Sequence, residues 1–108
     1  MGVANSPDAA KTPWRIVWRP MAETDLDDII DYIAQDNPIR ADEFRQELRD
    51  KVQALTLHPK LGHSGRPGLP AFLRELVVHR HYIVFHRLLA ETRTVEILRA
   101  RHTAQKAP

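Results

Sequence analysis

Two apolar stripes at helical spacing, separated only by "DNP" at residues 36–38, restrict this chain to few folds. In the first, Leu26, Ile29, Ile30 and Ile33 fall at i, i+3, i+4 and i+7, which predicts a helix over about 21–35 with one apolar face. In the second, Ala41, Phe44, Leu48, Val52 and Leu55 recur at threes and fours and predict a helix over roughly 38–57. Asn37 is placed to cap that helix, and Pro38 and Pro20 suit first helical positions because their missing N–H is not needed there. So short a connection folds the helices back on each other as an antiparallel hairpin. A helix pair alone buries too little apolar surface, so both stripes must face a third element.

That element is a sheet. "WRIVWR" at 14–19 is aromatic and β-branched and reads as a strand. "HPKLGHSGRPGLP" at 58–70 holds three Pro and three Gly and reads as loop. Three apolar, β-rich runs follow at about 72–78, 81–89 and 93–101, joined by "HRH" and "AETR". Links this short imply antiparallel neighbours, although neither holds an Asn-Gly or Asp-Gly signal. The order is β-α-α-β-β-β, an α+β fold with a helical hairpin packed on one face of a small antiparallel twisted sheet. The other face is expected to stay open as a binding surface.

At 108 residues the chain makes one domain, expected over 14–108, after a disordered extension at 1–13. No apolar run is long enough to span a bilayer, and residues 1–13 have no apolar stretch like that of a secretory signal. The absence of Cys excludes disulfides, thiolate metal sites and a Cys nucleophile, and suits the cytoplasm, where the chain is expected to act. A net charge of +2 hides a segregation along the chain. Residues 20–36 carry Glu23, Asp25, Asp27, Asp28, Asp31 and Asp36 with no Lys or Arg. From Arg74 onward there are seven basic residues against Glu75, Glu91 and Glu96, and four of the six His lie there too. Placed on different surfaces, these segments give one acidic and one basic face.

Of the possible chemistries, metal binding is the weakest. His79 and His81 are two apart and share a strand face, with His86 on the opposite parity, so no third ligand joins them. No metal and no cofactor is expected. Cleavage of RNA through its own 2′-hydroxyl needs a base, an acid and cations for the phosphate. His102 is the candidate acid or base, with Arg74, Tyr82 and Arg99 completing the cluster. Strand alternation argues against it, because Arg99 and Arg101 share one face while His102 falls with Leu98 and Ala100. Asp27, Asp28 and Asp31 lie opposite the apolar stripe and read as solvent face.

In order and in residues the chain resembles the RelE/ParE superfamily of bacterial type II toxins, most closely its ParE side. The resemblance is carried by "WRPMAETDLDDIIDYIAQDNP" at 18–38, "LTLHPKLG" at 55–62, "LRELVV" at 73–78, "YIVFHRL" at 82–88 and "VEILRARH" at 95–102. It implies a toxin neutralised by a cognate antitoxin, whose acidic, amphipathic segment folds onto a basic groove. It also implies that the hairpin and last strand form the working face, with Arg74, Arg80, Tyr82, Arg87, Arg99 and Arg101 meeting the target or the antitoxin. RelE-like members cleave messenger RNA on the ribosome; ParE-like members inhibit DNA gyrase by binding. Arg74, Tyr82 and His102 match positions the superfamily uses. Thr103 stands where a Gly is usual, and the paired strand lysines of the ribonucleases are missing.

The expected function is therefore a ParE-like, non-enzymatic inhibitor of DNA gyrase. The alternatives are a ribosome-dependent endoribonuclease and a toxin-like interaction module that has lost its activity.

Overall fold

The computed structural model describes residues 12–104; of the expected N-terminal extension, residues 1–11 lie outside them. Strand β1, Arg15–Trp18, leads into α1, Pro20–Ala34, and α2, Pro38–Gln53, which ends in a 3-10 turn, Ala54–Thr56. A segment containing the two-residue strand β2, His63–Ser64, precedes β3, Arg74–His79, β4, Tyr82–Leu89, a second 3-10 turn, Ala90–Thr92, and β5, Thr94–His102.

Helix starts follow the sequence signals. Pro20 and Pro38 occupy first-turn positions, and the Asn37 side chain accepts a hydrogen bond from the Arg40 N–H at 3.0 Å. Ala22, Leu26 and Ile30 of α1 and Ala41, Phe44, Leu48 and Val52 of α2 are buried, and they meet Val78, Val84, Val95, Ile97 and Ala100 from the sheet in one core. At about 25 cal/mol per Å² of apolar surface removed from water, this contact supplies most of the force that holds hairpin to sheet.

The sheet has five strands in the order β1-β5-β4-β3-β2 and is mixed rather than wholly antiparallel. The β3–β4–β5 meander is antiparallel, as its short links require, but β1 pairs parallel with β5, Arg15 opposite Thr94 and Trp18 opposite Ile97. The helical hairpin provides the long crossover that parallel pairing needs. The Pro- and Gly-rich loop adds β2 to the other edge, with His63 opposite Glu75 and Ser64 opposite Arg74.

Two irregularities change which side chains meet. The Arg80–His81 turn carries no positive φ, and the β3–β4 register shifts between Val77 and His79. Strand parity is broken there: His79 packs against Phe44 of α2 with ring centroids 5.3 Å apart, on the same side of the sheet as His86, where alternation predicted opposite sides. A second shift sets Phe85 opposite Arg99 but His86 opposite Ile97, leaving Leu98 as the extra residue of β5.

The face away from the helices is also less open than expected. The segment before β3 folds over it, and Arg66 donates to both carboxylate oxygens of buried Glu75 while lying 5.8 Å from the centroid of the buried Phe85 ring. On the helix side Arg74 Nη2 donates to the carbonyls of Lys60, at 2.7 Å, and Gly62, at 3.4 Å. The segment is thus pinned from both faces of the sheet edge. Gly62 sits at φ +83°, so close to β3 that a Cβ would stand 2.0 Å from the Glu75 carbonyl oxygen.

Candidate functional site

The residues named from sequence divide into two groups. At the turn end of the sheet, Tyr82 faces His102 across the β4–β5 ladder, their rings edge-on at 5.1 Å. His81 stacks on His102 at 5.6 Å and lies 5.7 Å from His79, while Phe44 closes the circuit 5.2 Å from Tyr82. Five rings from α2, the turn and three strands therefore form one cluster. Burial, with the nearby His81, lowers the His79 pKa, and its Nδ1 accepts from the His81 N–H at 3.2 Å, as a neutral imidazole would. Burial raises the Tyr82 pKa and keeps the phenol protonated. The Ala104 N–H donates to His102 Nδ1 at 3.0 Å, leaving Nε2 to carry the proton of the neutral ring.

The arginines expected to complete a ribonuclease cluster are elsewhere. Arg74 holds the loop carbonyls and stands opposite His86, four residues along β4 from Tyr82, or about 13 Å at strand spacing. Arg99 is bound by Asp25 of α1 in a two-point contact, Nε to Oδ2 at 2.7 Å and Nη2 to Oδ1 at 3.0 Å. The Asp25 Oδ2 also accepts from the Ala100 N–H at 2.9 Å, so one carboxylate fastens α1 to the irregular part of β5. Arg74 and Arg99 are not brought together, and neither joins Tyr82 and His102.

Of the other expected contact residues, Arg87 is bound to Glu96 at 2.6 Å, with Arg19 3.9 Å from the same carboxylate. Arg80 lies in the turn, its Nε 3.1 Å from His81 Nε2. Arg101 is paired in the ladder with Ile83, and its buried Nε has no hydrogen-bond partner among the described residues. Arg80 and Arg101 are thus the expected cations that stay at the tip with Tyr82 and His102.

Sequence reasoning missed three features. Asp25 was read only as part of an acidic run, and nothing local separates it from its neighbours. The Arg66–Glu75 pair had a signal, since an acidic residue inside the apolar run "LRELVV" needs a cation when buried. The third is a cleft of about 310 Å³ in which Tyr82 and His102 face Asp28, Ile29 and Tyr32 of α1. Among the described residues no group of three or more His, Asp or Glu is placed to hold a metal ion, and no helix is long and apolar enough to cross a membrane.

Residues 16–107 match the family described as the ParE toxin of the type II toxin–antitoxin system, parDE. Toxin RelE2 of Caulobacter vibrioides is 34% identical over 91 residues, covering 84% of this chain and 97% of its own. A putative toxin of Sinorhizobium fredii, Y4kP, is 38% identical over 95 residues, covering 87% and 93%. Among solved structures, the chromosomal ParDE system of P. aeruginosa contains a chain with a TM-score of 0.69 at 26% identity, covering 84% of this chain and 97% of that one. The toxin–antitoxin complex RelBE2 of Mycobacterium tuberculosis matches with a TM-score of 0.56 at 24% identity, a likeness of fold that covers 83% and 98%. A match across nearly all of the core and every strand of the sheet, rather than any one motif, makes this chain a member of the ParE toxin family of type II toxin–antitoxin systems.

Proposed function

We propose that this toxin acts in the cytoplasm by binding DNA gyrase, without chemistry of its own, and that a cognate antitoxin holds it inactive. The observation carrying this reading is the engagement of Arg74 and Arg99. Cleavage of a phosphodiester needs a cation beside the acid–base pair where negative charge develops. Both arginines instead hold the fold together, one at loop carbonyls and the other at Asp25. What is left at the tip, the ring cluster with Arg80 against His81 and with Arg101 on the other face of the sheet, suits contact with a macromolecule: rigid aromatic area together with charge. One observation favours a ribosome-dependent ribonuclease instead, the contact of Tyr82 with His102, a phenol and an imidazole that could pass a proton.

Inducing the chain without its antitoxin separates the readings. Gyrase inhibition gives double-strand breaks and a DNA-damage response with messages intact, and His102→Ala keeps its toxicity. Cleaved messages with intact DNA, and toxicity abolished by His102→Ala while antitoxin binding persists, would replace it with the ribonuclease. Harmless expression would leave an inactive interaction module.

A further inference from the structure

α1 carries a second stripe on its flank, of which only Ile29 packs partly against the core. Ala22, Leu26 and Ile30 are its buried residues, whereas Met21, Thr24, Asp28, Ile29 and Tyr32 line two neighbouring clefts on its flank. One cleft, of about 340 Å³, runs from Pro20 and Met21 past Thr24 to the Asp25–Arg99 pair. The other, of about 310 Å³, is walled by Tyr82 and His102. Asp28 lines both, so they join into one groove along the helix. Met21 and Tyr32 are eleven residues apart, a span of about 16 Å or three helical turns. These two groups are 59% and 69% exposed, leaving apolar surface at both ends of the groove.

The charge at its centre has no Lys or Arg partner among the described residues. Glu23 and Asp27 pair with Arg49 and Arg45 across the helical hairpin, and Asp25 is held by Arg99. Among the described residues no Lys or Arg pairs with Asp28, which stays exposed between two clefts.

We propose that this groove receives an amphipathic helical segment of the antitoxin, with a Lys or Arg set against Asp28 between apolar side chains seated at Met21 and at Ile29–Tyr32. The inference rests on the toxin–antitoxin reading above and adds the surface and the sign of its partner. A helix laid along α1 presents side chains at i, i+7 and i+11, the spacing of Met21, Asp28 and Tyr32. The apolar ends supply affinity, while the lone carboxylate sets register by attracting a cation and rejecting an acidic side chain. The sign is opposite to that expected for a segment on the arginine-bearing sheet face.

The test is calorimetric titration of the full-length chain with the antitoxin encoded beside it. Tyr32→Ala and Asp28→Lys should each weaken binding by about tenfold or more, whereas Asp42→Lys, a charge reversal on the exposed face of α2, should change it by less than about twofold. Reversing the antitoxin's basic residue should restore binding to Asp28→Lys. Because Asp28 and Tyr32 are exposed, melting temperatures of the variants should match that of the parent chain. Parent-like affinity of both Asp28→Lys and Tyr32→Ala would overturn the groove while leaving the toxin–antitoxin reading intact. Self-association of the free chain that Tyr32→Ala abolishes would assign the groove to a second copy and overturn it as well. A parent chain with no affinity for that antitoxin would refute the underlying reading, and this inference with it.

Discussion

Acid should weaken this fold well before its carboxylates titrate, because of His86. The residue lies on the helix side of β4, between Arg74 and Ile97 in the ladder, fully buried, and neither ring nitrogen has a hydrogen-bond partner among the described residues. Burial, and after it the Arg74 charge, push its pKa down to about 4. The sign follows from linkage. Below its ordinary value of 6.5 the unfolded chain takes up a proton that the folded chain refuses until about pH 4. The stability this neutral ring confers is therefore complete above pH 6.5, declines as pH falls through that value, and is exhausted below about 4. Over the whole window the loss is about 3 kcal/mol, of which about 2 kcal/mol falls between pH 7.5 and 5. Against a typical stability of about 5–15 kcal/mol, that is a large share. Urea unfolding at half-unit pH steps, on the parent chain and His86→Leu, would measure it. His79, also lowered by burial, contributes to both curves, so the difference between them isolates His86. The His86 imidazole resonance, followed by NMR in the parent chain, gives the same pKa should the variant not fold. Parallel stability curves for the two proteins between pH 7.5 and 5, or an imidazole titrating near 6.5, would refute the reasoning.

Two further perturbations probe the joints of the fold. Asp25→Ala should cost about 2–3 kcal/mol in urea unfolding, since it leaves the part-buried Arg99 guanidinium and the Ala100 N–H without their acceptor. Gly62→Ala should cost about 2 kcal/mol or more and free β2 from β3, seen as faster amide exchange at Glu75, because the added Cβ has no room at φ +83°.

What was legible in the sequence was what local periodicity and covalent connection determine. The stripe of Leu26 and Ile30, the stripe of Phe44, Leu48 and Val52, and the Asn37–Pro38 start each encode an element whose geometry follows within a turn. The β3–β4–β5 meander was equally readable, because short links leave no other neighbour. Parallel pairing of β1 was not, since its partner is nearly eighty residues away and no local signal states the direction of an edge strand. Nor were the shifts at Val78 and Leu98, each one residue wide, yet each moves His79 or Arg99 relative to its neighbours. A parity argument survives only until the first such residue. It held from Arg99 to His102, where alternation keeps the two apart as read from sequence, and failed at His79. Arg74 is kept from Tyr82 by four residues of strand, while Tyr82 and His102 met as ladder partners.

The same reasoning narrows the working surface. A run of arginines on strands reads as a cationic face because sequence shows the charges and hides their partners. In the folded chain Glu96 and Asp25 reach two of them, Arg87 and Arg99, from within the molecule, one from inside the sheet and one from α1, while Arg74 is held by loop carbonyls. A guanidinium held by a carboxylate has little left for an external phosphate or carboxylate, since breaking the internal pair would leave a part-buried charge alone at a cost of several kcal/mol. Contact with another macromolecule must therefore fall where charge is not already matched. Two such places among the described residues adjoin each other, the tip at Arg80 and the flank of α1 at Asp28, where Tyr82 and His102 of the tip wall the cleft that Asp28 lines.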